Sequence, residues 1–137
     1  NVNMEEKIAE IMEKHGVILG YLFGSQARGT AGSLSDIDIA VVFSFGMSDK
    51  EQAGEIENIR GEIQHEFKTN YADIINLSQN NNPALRYGII FGGKAILVND
   101  ANLKTTLELK AVRDFEDTKY LRAVQSLIIK NKFNVTA

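Results

Sequence analysis

Three carboxylates and one Gly-Ser step carry the chemistry open to this sequence. Asp36 and Asp38 stand two residues apart where the apolar run Ile37-Asp38-Ile39-Ala40-Val41-Val42-Phe43 begins, and that run reads as a buried strand. Residues i and i+2 of a strand point to the same side, about 6.5 to 7 Å apart. Two carboxylates on one face of an apolar strand repel each other and lose hydration. Either one takes up a proton or a cation settles between them. Hard divalent cations choose oxygen ligands, and magnesium takes one or two carboxylates together with substrate phosphates. Asp73 is the only charged residue of a further extended run, Thr69 to Leu77. If the two strands are neighbours, three carboxylates converge and supply what a two-metal site needs, with ions about 3.5 to 4 Å apart.

The second feature is separated from Asp36 by ten intervening residues. Gly24-Ser25 closes the apolar run Val17-Ile18-Leu19-Gly20-Tyr21-Leu22-Phe23, where a strand should turn into a helix. Gly24 lets the backbone approach a ligand closely, and Ser25 offers a hydroxyl beside the free N–H groups of a helix start. Those are the parts of a phosphate cradle. Arg28 has two readings, a charged clamp on a triphosphate or a partner for a carboxylate of its own structure. A lone Gly-Ser is usually a turn and a helix cap, and a lone Asp-x-Asp usually a solvent-facing strand end. Their conjunction at strand edges is the specific signal. It suits a nucleoside triphosphate held against paired magnesium ions.

The block Leu22-Phe23-Gly24-Ser25-Gln26-Ala27-Arg28-Gly29 through Ser35-Asp36-Ile37-Asp38-Ile39-Ala40-Val41 resembles the signature of the nucleotidyltransferase superfamily that includes DNA polymerase beta. More narrowly it is similar to the minimal nucleotidyltransferases, small proteins often paired, as antitoxin, with a helical HEPN-domain toxin. The likeness extends through Tyr71-Ala72-Asp73-Ile74-Ile75-Asn76-Leu77 and Leu85-Arg86-Tyr87 to Phe115-Glu116-Asp117-Thr118-Lys119-Tyr120-Leu121. It implies an α/β fold with a small mixed sheet flanked by helices. It also implies that Asp36, Asp38 and Asp73 hold two magnesium ions and carry catalysis, while Gly24, Ser25 and Arg28 bind ATP. The implied reaction moves AMP from ATP to a hydroxyl, a tyrosine near the active site of a HEPN-type ribonuclease toxin. One departure stands out: Gly88-Ile89-Ile90-Phe91 is apolar where relatives carry more charge.

Two other functions compete. A binding-only antitoxin would mask its partner without chemistry, but a pure binder has no reason to keep a costly cluster of carboxylates. A small-molecule transferase of the antibiotic-modifying kind would need a substrate domain, or a homo-oligomer with a shared pocket, because about 100 residues are spent on the core. The same economy makes a protein acceptor the better fit, since the acceptor can complete the site.

Around these residues the chain reads as alternating helices and strands. A helix over 4–14 has Ile8, Ile11 and Met12 on one face, closed by His15 and stopped by Gly16. Strands follow at 17–23 and 37–43, separated by a short helix or turn at 25–30 and a loop. Ser48-Asp49-Lys50-Glu51 is a capping box that starts a helix over 49–67, with Ile56, Ile59, Ile63 and Phe67 at helical spacing. A strand over 71–77 precedes Asn82-Pro83, a cap and first-turn proline for a helix reaching Phe91. Lys94–Val98 forms a last strand, and a long helix begins at about 103. Its apolar stripe runs Leu107, Ala111, Phe115 and resumes as Tyr120, Val124, Leu127, Ile128. The five-residue step turns the stripe around the helix, which suits either a second seam for a partner or a kink and fraying after Leu121.

With 137 residues, 44% hydrophobic and 24% charged, residues 1–137 form one globular domain. No run of 18 apolar residues is present, so no membrane helix is expected. The N-terminus lacks a basic-then-apolar leader pattern, and without cysteine there is neither disulfide nor thiolate metal site; a cytoplasmic location follows as the expectation. Residues 1–100 hold 8 basic and 14 acidic side chains, and 101–137 hold 7 and 4. An acidic body is a poor nucleic-acid binder. His15 and His65 belong near helix C-termini, where structure explains them better than catalysis. Lys94 after Gly92-Gly93 lacks the strand–loop–helix order of a phosphate loop.

Overall fold

The computed structural model describes residues 3–24, 36–69 and 71–134. Helix α1 (Met4–Lys14) starts at Asn3, whose side chain accepts the Glu6 N–H, and ends at His15. Gly16 follows with φ 89°, the left-handed stop that only glycine adopts without strain. Strands β1 (Val17–Phe23) and β2 (Ile37–Phe43) pair antiparallel and place Phe23 opposite Asp38. The turn or helix expected over 25–30 and the loop after it lie outside the described residues.

Helix α2 (Asp49–Phe67) begins with the full capping box: Ser48 accepts the Glu51 N–H and the Glu51 carboxylate accepts the Ser48 N–H. It serves as the crossover that a parallel pairing requires, because β3 (Ala72–Asn76) lies parallel to β2 with Asp73 opposite Asp38. The expected strand ran from 71 to 77. Both outer residues still bond to the neighbouring strand, Ile37 N–H to Tyr71 O at 3.1 Å and Leu77 N–H to Val41 O at 3.0 Å. The Asn76 side chain then accepts the Ser78 N–H and turns the chain away.

Helix α3 (Pro83–Gly92) is capped by Asn82, which accepts the Leu85 N–H, and carries proline in its first turn. Strand β4 (Lys94–Val98) pairs antiparallel with the free side of β1. Helix α4 (Ala101–Asn134) begins two residues earlier than expected and is a single helix through the point where its apolar stripe turns. The sheet order is β3-β2-β1-β4, a mixed four-stranded sheet flanked by helices as the sequence led us to expect.

Alternation along the strands divides the core into two layers. Val17, Leu22, Ile37, Ile39, Val41, Phe43, Ala72 and Ile74 pack with Ile8, Ile11 and Met12 of α1 and Ile59 and Ile63 of α2. Leu19, Tyr21, Ala40 and Val42 pack on the other face with Ile89 and Ile90 of α3 and Ala111 of α4. Ile8, Met12, Ile39, Ile59 and Ile63 are wholly excluded from solvent, each contributing about 1.5–3 kcal/mol of burial.

Candidate active site

The pleat that fills the second layer also aims the carboxylates. Phe23, Asp38 and Asp73 share the parity of Tyr21, Ala40 and Ile75, the residues turned toward α3 and α4. Asp38 is central. Phe23 flanks it on β1 and Asp73 on β3, with strands about 4.8 Å apart. Asp36 stands two residues before it, immediately ahead of β2. Asp38 is half-buried, whereas Asp36 and Asp73 are exposed. Burial pushes the Asp38 carboxyl above its ordinary range, and the charges of Asp73 and Asp36 push it further. No positive group among the described residues counters them.

Gly24 completes this edge. Its φ is 73°, and a Cβ there would overlap the Asp38 Oδ2. Glycine takes this left-handed turn without strain and leaves the Asp38 carboxylate where it is; a larger residue would strain the turn and displace that carboxylate. Ser25 and Arg28, expected to bind the phosphates, lie outside the described residues. An apolar recess of ≈290 Å³ opens beside Gly24, lined by Phe23, Leu85, Gly88, Ile89 and Gly92. The apolar stretch of α3 noted in the sequence thus faces both the core, through Ile89 and Ile90, and this recess.

The three carboxylates share one edge but do not form a closed cage: among the described residues, no three His, Asp or Glu side chains are gathered tightly enough to hold an ion. The donor set nonetheless suits magnesium, being all oxygen and having a central carboxylate whose neighbours favour an added positive charge.

Other residues weighed in the sequence have structural partners. His15 bridges α1 to α2, with Nδ1 3.2 Å from Glu55 Oε2 and Nε2 2.8 Å from Glu62 Oε1. His65 lies in the last turn of α2. Lys94 pairs with Glu5 at 2.7 Å. Arg86 carries a role that no local pattern announced. It is buried, and its Nη1 donates to the Leu77 and Asn80 carbonyls, tying α3 to the end of β3. It lines a cavity of ≈470 Å³ with Lys110 and Asp114 at the far end of β2.

The edge of Asp36, Asp38, Asp73 and Gly24 brings oxygen donors beside a close backbone approach, groups of the kind that transfer at phosphorus uses. Residues 6–102 match the family described as polymerase beta, nucleotidyltransferase. Over 49 residues the chain is 47% identical to MJ0435 of Methanocaldococcus jannaschii, a candidate protein adenylyltransferase; the match covers 35% of this chain and 53% of that protein. A chain in a toxin–antitoxin crystal structure with AMP-PNP superposes with TM-score 0.72 at 21% identity, over 96% of this chain and 99% of that one. A chain from a complex of tri-AMPylated Shewanella oneidensis HEPN toxin with MNT antitoxin gives 0.65 at 19% identity, over 94% and 95%. The crossover that sets Asp73 beside Asp38, the glycine against Asp38 and the family match across this region lead to one assignment: the chain belongs to the polymerase beta nucleotidyltransferase family.

Proposed function

We propose that this protein transfers AMP from ATP to a hydroxyl, a tyrosine, of a helical HEPN-type partner protein, and so acts as the antitoxin of a toxin–antitoxin pair. The observation that carries the reading is the half-buried Asp38, set between Asp36 and Asp73 and pressed against Gly24. Uncompensated like charges in that setting mark a functional site. The AMP-PNP and AMPylated-toxin complexes of chains with this fold support that choice of nucleotide and acceptor class.

Asp36, Asp38 and Asp73 would hold two magnesium ions, which when bound neutralise phosphate charge and sharpen the acceptor oxygen as a nucleophile. The backbone at Gly24 and the hydroxyl of Ser25 hold the β- and γ-phosphates, and Arg28 clamps them. The acceptor oxygen forms a bond to the α-phosphorus while the bond to the bridging oxygen breaks, and pyrophosphate leaves. Asp73, exposed beside Asp38, takes the proton from the hydroxyl. The rate gain comes from positioning and charge neutralisation.

Incubation with ATP labelled on the α-phosphate, magnesium and the HEPN-domain protein of the same genome tests this. The wild type labels the partner, while Asp36→Asn/Asp38→Asn and chelation of magnesium abolish the label. An unlabelled partner that the double variant still captures as well as wild type would favour masking without chemistry.

A further inference from the structure

The apolar recess beside Gly24 has no part in the chemistry assigned to the carboxylates, yet it shares a wall with them. Phe23, which lines it, has the parity of Asp38 and is its direct partner across β1 and β2. Gly24, which also lines it, is the residue whose Cβ would overlap the Asp38 Oδ2. Along the edge the order is Asp73 on β3, Asp38 on β2, then the recess beside the end of β1. Asp73 and the recess therefore lie on opposite sides of Asp38.

Helix α3 supplies the rest of the lining. Leu85 and Ile89 stand four residues apart on one face, Ile89 buried. Ala84, Gly88 and Gly92 recur at the same step along the exposed rim. A Cβ on Gly88 or Gly92 would meet nothing within 4 Å among the described residues, so small residues leave this space open. No charged or hydrogen-bonding side chain lines it among the described residues. At ≈290 Å³ it lies at the lower end of ligand pockets, about 300–1,000 Å³, which suits one part of a nucleotide rather than the whole.

Chemistry selects that part. Phosphates do not belong there, because charge set against apolar walls without a partner costs heavily. The acceptor hydroxyl is assigned to Asp73, across Asp38 from the recess. The base remains. It is planar and uncharged, and a single ribose joins it to the α-phosphate, so it must settle near the carboxylates. Bases pack on aromatic rings whatever their identity, and Phe23 contributes such a ring to the wall. We infer that the recess between Phe23 and α3 receives the base of the nucleoside triphosphate, and that Gly88 leaves the room for it. The inference rests on the function proposed above and deepens it, by giving the nucleoside a grip separate from that on the phosphates.

Gly88→Leu fills the recess from a position where a Cβ meets no neighbour. Leucine is also the better helix former, so the unfolding temperature without ligand should hold or rise. Calorimetry on the full chain with magnesium compares two probes, ATP and inorganic tripolyphosphate, which carries phosphates and no base. Gly88→Leu should weaken ATP binding about 30-fold and leave tripolyphosphate within about twofold of wild type. Gly88→Ala should fall between wild type and Gly88→Leu. With the HEPN-domain protein of the same genome as acceptor, the KM for ATP should rise in step and the KM for the acceptor should not move.

Unchanged ATP affinity in Gly88→Leu would overturn the inference. An equal loss for tripolyphosphate would also overturn it, by placing the effect on the phosphates. A raised KM for the acceptor with ATP binding intact would give the recess to the acceptor instead, and overturns it too. Wild type that binds neither probe would refute the proposed function and this inference together. Selective loss of ATP binding in the variant, with no AMP transferred by wild type, would support the base site and refute the proposed reaction.

Discussion

The two ends of the sheet face that α3 and α4 cover treat charge in opposite ways. At one end Asp38 is half-buried between Asp73 and Asp36, and among the described residues burial and both neighbouring carboxylates raise its proton affinity. At the other, buried Arg86 has carbonyl acceptors at Leu77 and Asn80. Nearby Asp114 sits 2.5 Å from Lys110, and the hydrogen bond and charge of Lys110, aided by Arg113 and Arg86, hold its carboxyl below the usual range. The compensated end is structure. The other end, uncompensated among the described residues, costs stability and suits the functional role proposed for it.

That contrast breaks most sharply at Asp38. Asp36→Asn/Asp38→Asn should lower AMP transfer by about a thousandfold or more, while unfolding without magnesium occurs at a higher temperature than in wild type, because repulsion is relieved. Loss of activity through loss of fold would erase the distinction. At the compensated end the expectation reverses. Arg86→Ala strands two carbonyls and should cost about 3 kcal/mol, read as a lower denaturant midpoint at unchanged slope.

Gly24→Ala tests the boundary between the two behaviours. A left-handed φ for alanine and the overlap with Asp38 Oδ2 should cost about 2 kcal/mol. Displacing the carboxylate should slow transfer about tenfold to a hundredfold. Tyr21 offers the smallest effect. Its hydroxyl is buried without a hydrogen-bond partner among the described residues, so Tyr21→Phe should stabilise by about 1 kcal/mol. Burial, with a smaller contribution from Glu108, pushes the Tyr21 hydroxyl up to about 12. The unfolded chain therefore releases that proton first, and wild-type stability falls as pH rises from about 10 toward 12. Unfolding curves over that range should fall less steeply for Tyr21→Phe.

Local pattern revealed most of the elements and half of this contrast. Strands 17–23 and 37–43 and helix 49–67 follow from apolar runs and the Ser48–Glu51 box, signals contained within each segment. Asp36, Asp38 and Asp73 were legible because a carboxylate in an apolar strand is conspicuous. Their adjacency depends on β3 lying parallel to β2, which the sequence does not specify, since many crossovers satisfy the same pattern. Arg86 was read only as part of Leu85-Arg86-Tyr87. Its acceptors are main-chain carbonyls at Leu77 and Asn80, and backbone atoms leave no mark in side-chain pattern. The buried Tyr21 hydroxyl was equally silent, being one more apolar residue in a strand.

Thermal unfolding of wild type and Asp38→Asn, each with and without magnesium and ATP, tests the central claim most directly. If the carboxylate edge is a metal–nucleotide site, the variant melts higher in the absence of ligand. Saturating magnesium and ATP then raise only the wild type, by about 5 °C, and the order inverts. Equal gains in both proteins, or a variant that already melts lower without ligand, would contradict the claim.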